Sequence, residues 1–186
     1  MSEDRDQTRR DQILDAAIET IGQYGYKRTS MDDIATVVGI SRPALYQVFR
    51  NKADIYRAGI QRYCDESMKG AAAALDEDHP LEERLRKAFD VTIIAPHRMI
   101  ETMPHGVELL SQKQEIGQDL MDKWSAKFGE LLRETFEREP GLSPDIAVKL
   151  AATVMNVVTG LKARGISADE TSAEFEKLLG LVRLMR

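Results

Sequence analysis

Few side chains of this 186-residue chain have the types and spacing that chemistry needs. Its three histidines, His79, His97 and His105, are too far apart for the i, i+3 or i, i+4 spacing of a helical metal site. The one cysteine, Cys64, excludes an intramolecular disulfide, has no histidine partner in sequence, and reads as a small buried apolar residue. Adjacent carboxylates such as Asp32–Asp33 and Glu82–Glu83 do not share a helix face and read as caps and solvated surface. There is no phosphate loop, nucleophile elbow or dinucleotide fingerprint. Catalysis, a metal and a cofactor are therefore not expected. What remains is a different chemistry, carried by Arg42, Pro43, Ala44 and Gln47. A guanidinium can engage guanine O6 and N7 in a bidentate way, a side-chain amide can read a base edge, and Pro43 and Ala44 can touch a thymine methyl.

These residues fall in Ser30–Lys52, SMDDIATVVGISRPALYQVFRNK, whose pattern predicts two short helices joined by a tight turn. Ser30 caps the first, with Asp33 three residues on in capping-box spacing. Ile34, Ala35 and Val38 share one face. Gly39 stands where the turn needs positive φ, and Ser41 caps a second helix whose first turn tolerates Pro43. Counted from Met31, the small Ala35, the glycine Gly39 and the apolar Leu45 occupy positions five, nine and fifteen. The small residue lets the helices approach, the glycine turns the chain, and Leu45 fills the angle between them. That is helix-turn-helix spacing, in which the second helix enters the major groove with its N-terminal residues toward base edges. A purely structural hairpin would show one of these features by chance but rarely all three. Leu45, Val48 and Phe49 are assigned to the core.

The rest of the chain reads as helical. A first helix is expected over 9–24, opened by a Thr8–Asp11 capping box and stopped by Gly25, with Ile13, Leu14, Ala17, Ile18 and Ile21 at helical spacing. Asn51, with Asp54 three residues later, caps a fourth helix that runs to about Leu75. DEDHP at 76–80 is the clearest break in composition. Beyond it lie Leu81–Ile94, a short piece between Pro96 and Pro104, a long stretch from about Val107 to Glu139 with a break near Gly117, and two final helices. Ser143 and Pro144 open the first of these; a Thr171–Glu174 capping box opens the second, which places Phe175, Leu178, Leu179, Val182 and Met185 on one side. The helix carrying Ile146–Leu161 is apolar over a wide arc, so it lies at the centre of the body or also faces a second subunit.

The expected fold class is thus all-α, an N-terminal helix-turn-helix head over 1–63 on a larger helical body over 64–186. Charge supports the division. The net charge is −5, yet residues 1–63 hold ten Lys/Arg against nine Asp/Glu, while 64–186 hold sixteen against twenty-two. A weakly basic head on an acidic body is compatible with nucleic acid at one end. The N-terminus MSEDRDQTRRDQ is polar and of mixed charge, and no apolar run approaches a membrane span, so a cytoplasmic location is expected.

The segments RRDQILDAAIETIGQYGYKRTSMDDIA and VVGISRPALYQVFRNKADIY together resemble the tetracycline-repressor-like (TetR/AcrR) family of transcriptional regulators, over roughly residues 9–63. Beyond that point only the all-helical layout matches. The resemblance implies a regulator, a repressor in the first reading, that binds a pseudo-palindromic double-stranded DNA operator as a homodimer through helices near 143–164 and 169–185. It implies phosphate contacts from Thr29, Ser30, Tyr46 and Lys52, a role that fits groups able to bind phosphate without reading sequence. It also implies a cavity whose small-molecule effector shifts the fourth helix and releases DNA. By residue type, Phe89, Ile93, Met99, Met103, His105, Met121, Trp124, Phe128 and Asn156 are candidates for that pocket, although the same types build plain cores. The alternative is a DNA-binding regulator without a small-molecule ligand, controlled by a protein partner or acting as an activator.

Overall fold

A computed structural model describes the backbone of residues 2–184 and the side chains of 7–183. Among these residues there are nine α-helices and no strand: α1 (Ser2–Tyr24), α2 (Met31–Val38), α3 (Arg42–Val48), α4 (Lys52–Leu75), α5 (Leu81–Phe89), α6 (Ala95–Glu101), α7 (Gly106–Glu137), α8 (Pro144–Arg164) and α9 (Ala168–Leu184). A π-helical turn, Asp90–Ile94, joins α5 to α6. The helices form two compact units, Met1–Tyr63 with Ile100–Leu120, and Cys64–Met99 with Met121–Arg186.

In the first unit, α1, α2, α3 and the start of α4 enclose Ile13, Leu14, Ala17, Met31, Ile34, Ala35, Leu45, Phe49 and Ile55. Leu45 is fully buried; its removal to alanine would cost about 2–5 kcal/mol, the range for a core leucine. The residues 100–120, which the sequence assigned to the body, join this unit. Polar contacts too specific to read from sequence hold them there. The Tyr56 hydroxyl donates to the Leu109 carbonyl at 2.6 Å, and Arg57 reaches Asp119 through both terminal nitrogens, at 2.7 and 2.6 Å. Gly117 interrupts the helical dihedrals of α7, as the sequence expected, and a Cβ there would lie 2.6 Å from Ile60 Cδ1.

The second unit is built around aromatic rings. Phe89 stacks on Phe175 with centroids 4.3 Å apart and meets Phe128 edge-on at 6.4 Å, while Trp124 stacks on Phe128 at 5.0 Å. Trp124 Nε1 donates to Ser67 Oγ at 2.9 Å, which satisfies the indole where it is buried. Cys64 is buried as expected, its sulfur 3.9 Å from that of Met121. Arg84 and the buried Glu139 form an ion pair, with Arg84 also donating to the Leu75 carbonyl.

Several local expectations are corrected. Thr8 does not cap α1, because the helix already runs from Ser2; Asp11 instead accepts from Gln7. The last helix is opened not by Thr171–Glu174 but one turn earlier. Ser167 Oγ accepts from the Glu170 backbone and Glu170 receives the Ser167 N–H, which leaves Thr171 buried inside the helix. Met185, placed on the inner side of that helix by its spacing, lies outside the described residues. Pro96 does not break the chain into two helices. The hydrogen bonding widens just before it, the Ala95 N–H reaching the Asp90 carbonyl, which gives a ring without an N–H room in a continuous helical run.

Candidate nucleic-acid interface

Local chemistry shapes the α2–α3 motif as its sequence requires. Ser30 Oγ accepts from the Asp33 N–H at 3.2 Å, and Asp33 Oδ2 receives the Ser30 N–H at 2.8 Å, a complete capping box. The hydrogen bonds from Ser30 hold the Asp33 carboxyl below the ordinary carboxylate range. Gly39 ends α2 with φ of 74°, open space lies where its Cβ would be, and Ser41 Oγ then accepts from the Ala44 N–H at 3.3 Å. α3 buries Leu45 and leaves Arg42, Pro43, Tyr46 and Gln47 exposed, with Ala44 half-buried. The four residues expected to face bases therefore share the outer side of α3 with Tyr46.

Arg42 is not a loose arm. Its Nη1 lies 3.0 Å from Asp32 Oδ2, and its guanidinium carbon sits 5.5 Å from the centre of the Tyr46 ring. A hydrogen bond with Tyr46 and the nearby Asp32 charge raise the Arg42 pKa further above its ordinary range. Sequence reasoning missed Asp32, read only as part of an acidic cap. The ten-residue separation carries no helical signal, and only the angle between α2 and α3 brings the two together.

The four residues implied as phosphate contacts divide. Ser30 and Tyr46 are exposed. Thr29 is turned inward, contrary to expectation; it is buried, and its hydroxyl donates to the Gly25 carbonyl at 2.9 Å, closing the turn before α2. Lys52 is half-buried. Its ammonium donates to the carbonyls of Tyr26 and of Thr29, the latter at 2.6 Å, and lies 4.3 Å from the centre of the Tyr26 ring. Burial pushes its pKa down. Lys52 thus anchors the loop that presents Ser30.

Of the residues proposed for an effector pocket, Phe89, Ile93, Trp124 and Phe128 are buried in the second unit, with Met121 half-buried there. Met99 and Asn156 are exposed. Met103 and His105 belong to the first unit. A Cβ on Gly22 would meet Met103 Sδ at 2.5 Å, and His105 Nε2 lies 2.6 Å from Arg28 Nη2. An open groove of about 360 Å³ runs beside Phe89, floored by Phe175, Ile94 and Leu179 and rimmed by Arg86 and Glu176. Among the described residues no group of three or more His, Cys, Asp or Glu could hold a metal ion.

The fold and the exposed face of α3 define a helix-turn-helix protein on an all-helical body. Residues 13–58, which hold the α2–α3 motif, match the family model of bacterial regulatory proteins, tetR family, a family of transcriptional regulators. The chain is similar to the transcriptional activator FasR of Mycolicibacterium smegmatis, 41% identical over 82 residues, which cover 44% of this chain and 37% of that protein. Along almost its whole length it is similar to the nucleoid occlusion factor SlmA of Vibrio atlanticus, 25% identical over 175 residues, covering 91% and 89% of the two chains. Its fold is that of a TetR/AcrR-family regulator from Thermobifida fusca, with a TM-score of 0.65, 22% identity and coverage of 92% and 96%. With FasR and two further curated regulators the match spans from 37% to 63% of the relative's length.

Proposed function

We propose that this protein is a cytoplasmic transcriptional repressor that binds a pseudo-palindromic DNA operator as a homodimer and is released by a small-molecule effector. The observation that carries the DNA part is the capped α2–α3 motif, which holds Arg42, Pro43, Ala44 and Gln47 on one outer face. Arg42 and Gln47 read base edges, Pro43 and Ala44 make apolar contact, and Ser30, Tyr46 and the remaining donor of Lys52 hold phosphates. Thr29 supports that set from inside the loop. The reading head is the 1–63 segment, and 64–186 supplies effector binding and dimerisation.

Dimerisation through α8 and α9 is supported by what those helices leave uncovered. Ile146, Val148 and Leu181 are exposed, at 37%, 50% and 61%. Gly160 and Gly180 have open space where a Cβ would stand. By length and composition α8 is apolar enough to cross a membrane, with 33% of its most apolar window buried, so it carries more apolar surface than its own unit covers. For the effector, the aromatic group of Phe89, Trp124 and Phe128, with Ile93 and Met121, is the part of the candidate set that comes together, beside the groove at Phe89. Release then needs a difference in affinity of about 1–3 kcal/mol between the DNA-binding and released states.

The second reading is a DNA-binding regulator without a small-molecule effector, controlled by a protein partner or acting as an activator; the partial similarity to the transcriptional activator FasR fits the activator form. Selection of bound DNA from a random pool tests the common part. An enriched sequence with two related half-sites is expected, and failure to enrich any sequence overturns the DNA-binding reading. A metabolite panel against the selected operator then separates the two, because only the effector reading predicts a compound that releases it.

A further inference from the structure

Asp32, on α2, meets the reading face at Arg42 without an assigned role. It is exposed in the first turn of α2, and its carboxylate lies 3.0 Å from Arg42 Nη1, the pair remaining 56% and 61% exposed at their side chains. One turn further along α3, the centre of the Tyr46 ring lies 5.5 Å from the same guanidinium, so Arg42 is held by an acid and an aromatic ring that start from different helices. Asp32 is not needed to cap α2, since Ser30 and Asp33 complete the capping box between them. Its backbone carbonyl accepts from Thr36 Oγ1 at 2.8 Å, a bond that does not involve the carboxylate.

An exposed carboxylate is a poor choice for a surface that meets phosphates. A negative charge there opposes every DNA sequence equally, through the same long-range electrostatics that make Lys and Arg favour it. An exposed ion pair adds little to stability, and the helix dipole favours a carboxylate in the first turn of α2 whether or not it meets Arg42, so neither term accounts for the contact with this particular guanidinium. Orientation does. A long arginine side chain carries large rotamer freedom, and a bidentate contact to guanine needs its planar fork at one angle. A carboxylate and a ring, both against the guanidinium, restrict that freedom before DNA arrives. Asp32 takes one N–H of Nη1, so the restrained fork can keep that contact while its remaining donors meet guanine O6 and N7.

Resting on the proposal that this face reads DNA, we infer that Asp32 is a positioning residue that sets sequence specificity by holding the Arg42 guanidinium for base readout, at the expense of overall affinity. Its removal moves two quantities in opposite directions, which a residue of merely structural value does not do. In Asp32→Asn, binding to random-sequence DNA strengthens by about threefold or more per head as a negative charge leaves the phosphate field. Discrimination between the selected operator and one changed at its guanine falls about three- to tenfold, a part of what a bidentate contact supplies.

The experiment measures full-chain binding to the selected operator, its guanine-substituted form and random DNA at several salt concentrations, for the native protein, Asp32→Asn, Asp32→Glu, Arg42→Ala and the double variant. Circular dichroism confirms that each is folded. Stronger binding to random DNA with weaker discrimination in Asp32→Asn, recovery of discrimination in Asp32→Glu, and no further loss of discrimination when Asp32→Asn is added to Arg42→Ala are expected. Unchanged discrimination in Asp32→Asn, or an equal loss of affinity for all three DNAs, overturns the inference and leaves the DNA-binding reading standing. If the native protein binds all three DNAs alike, the reading itself fails and the inference goes with it.

Discussion

Replacing Lys52 with methionine separates its two roles, because the apolar stem is kept and only the ammonium is lost. In the structure that ammonium holds the carbonyls of Tyr26 and Thr29, tying the start of α4 to the loop that leads into α2. A hydrogen bond from a charged donor contributes about 1.5–3 kcal/mol when sheltered. Here the side chain is only half-buried, water can replace it on both carbonyls, and solvent screening discounts the charge, so the two bonds together are worth about 1–3 kcal/mol. For a chain of this length each kcal/mol lowers the melting temperature by about 2–4 °C. Lys52→Met is therefore expected to melt about 2–10 °C lower in a thermal scan. If the third ammonium donor also meets a phosphate, binding weakens for every DNA sequence alike. The slope of log affinity against log salt then falls by about two for a dimer, one contact per head. An unchanged melting temperature would refute the loop-anchoring argument. A loss confined to one base position would refute the phosphate assignment and make Lys52 a reader.

Three other perturbations bear on the framework. Burial, with a smaller contribution from Tyr26, raises the Tyr56 phenol above its ordinary value of 10.0. The stability it lends is therefore fully present below about pH 10 and is lost as pH rises through its folded-state pKa. In alkaline unfolding monitored by circular dichroism, Tyr56→Phe should lose part of this high-pH decline and cost about 1 kcal/mol at neutral pH for the bond to Leu109; an unaltered pH profile would count against it. Gly117→Val puts a side chain where even a Cβ meets Ile60 Cδ1 at 2.6 Å, and a cost of about 1–3 kcal/mol in chemical denaturation is expected. Leu181→Glu places a charge on the exposed apolar face of α9. Sedimentation should then report monomer at micromolar concentration with the fold retained, and a persisting dimer would exclude that face as the interface.

The α2–α3 motif was legible in the sequence because everything that builds it is local. A capping box spans three residues, a glycine turn needs one, and the spacing of Ala35, Gly39 and Leu45 is a fixed geometric relation along one chain segment. The same locality made Ser143, Pro144 and Gly165 correct markers of α8. It failed where two local solutions compete. Thr171–Glu174 and Ser167–Glu170 both have capping spacing, and burying Thr171 against the core selected the earlier one. Thr8 failed for a related reason, since the residues before it continue the helix and leave nothing to cap.

By itself, then, the sequence determined the helices, the turn and the outer face of α3, because each depends on periodicity and on backbone chemistry within a few residues. Only the tertiary structure decided which polar groups meet. Thr29 and Lys52 close a loop from inside, His105 meets Arg28, and residues 100–120 join the first unit through Tyr56 and Arg57. Asp32 meets Arg42 for the same reason. The Thr29 bond spans four residues and the other partners lie 10 to 77 residues apart, brought together by the packing of separate segments, which leaves no period in the sequence to be read.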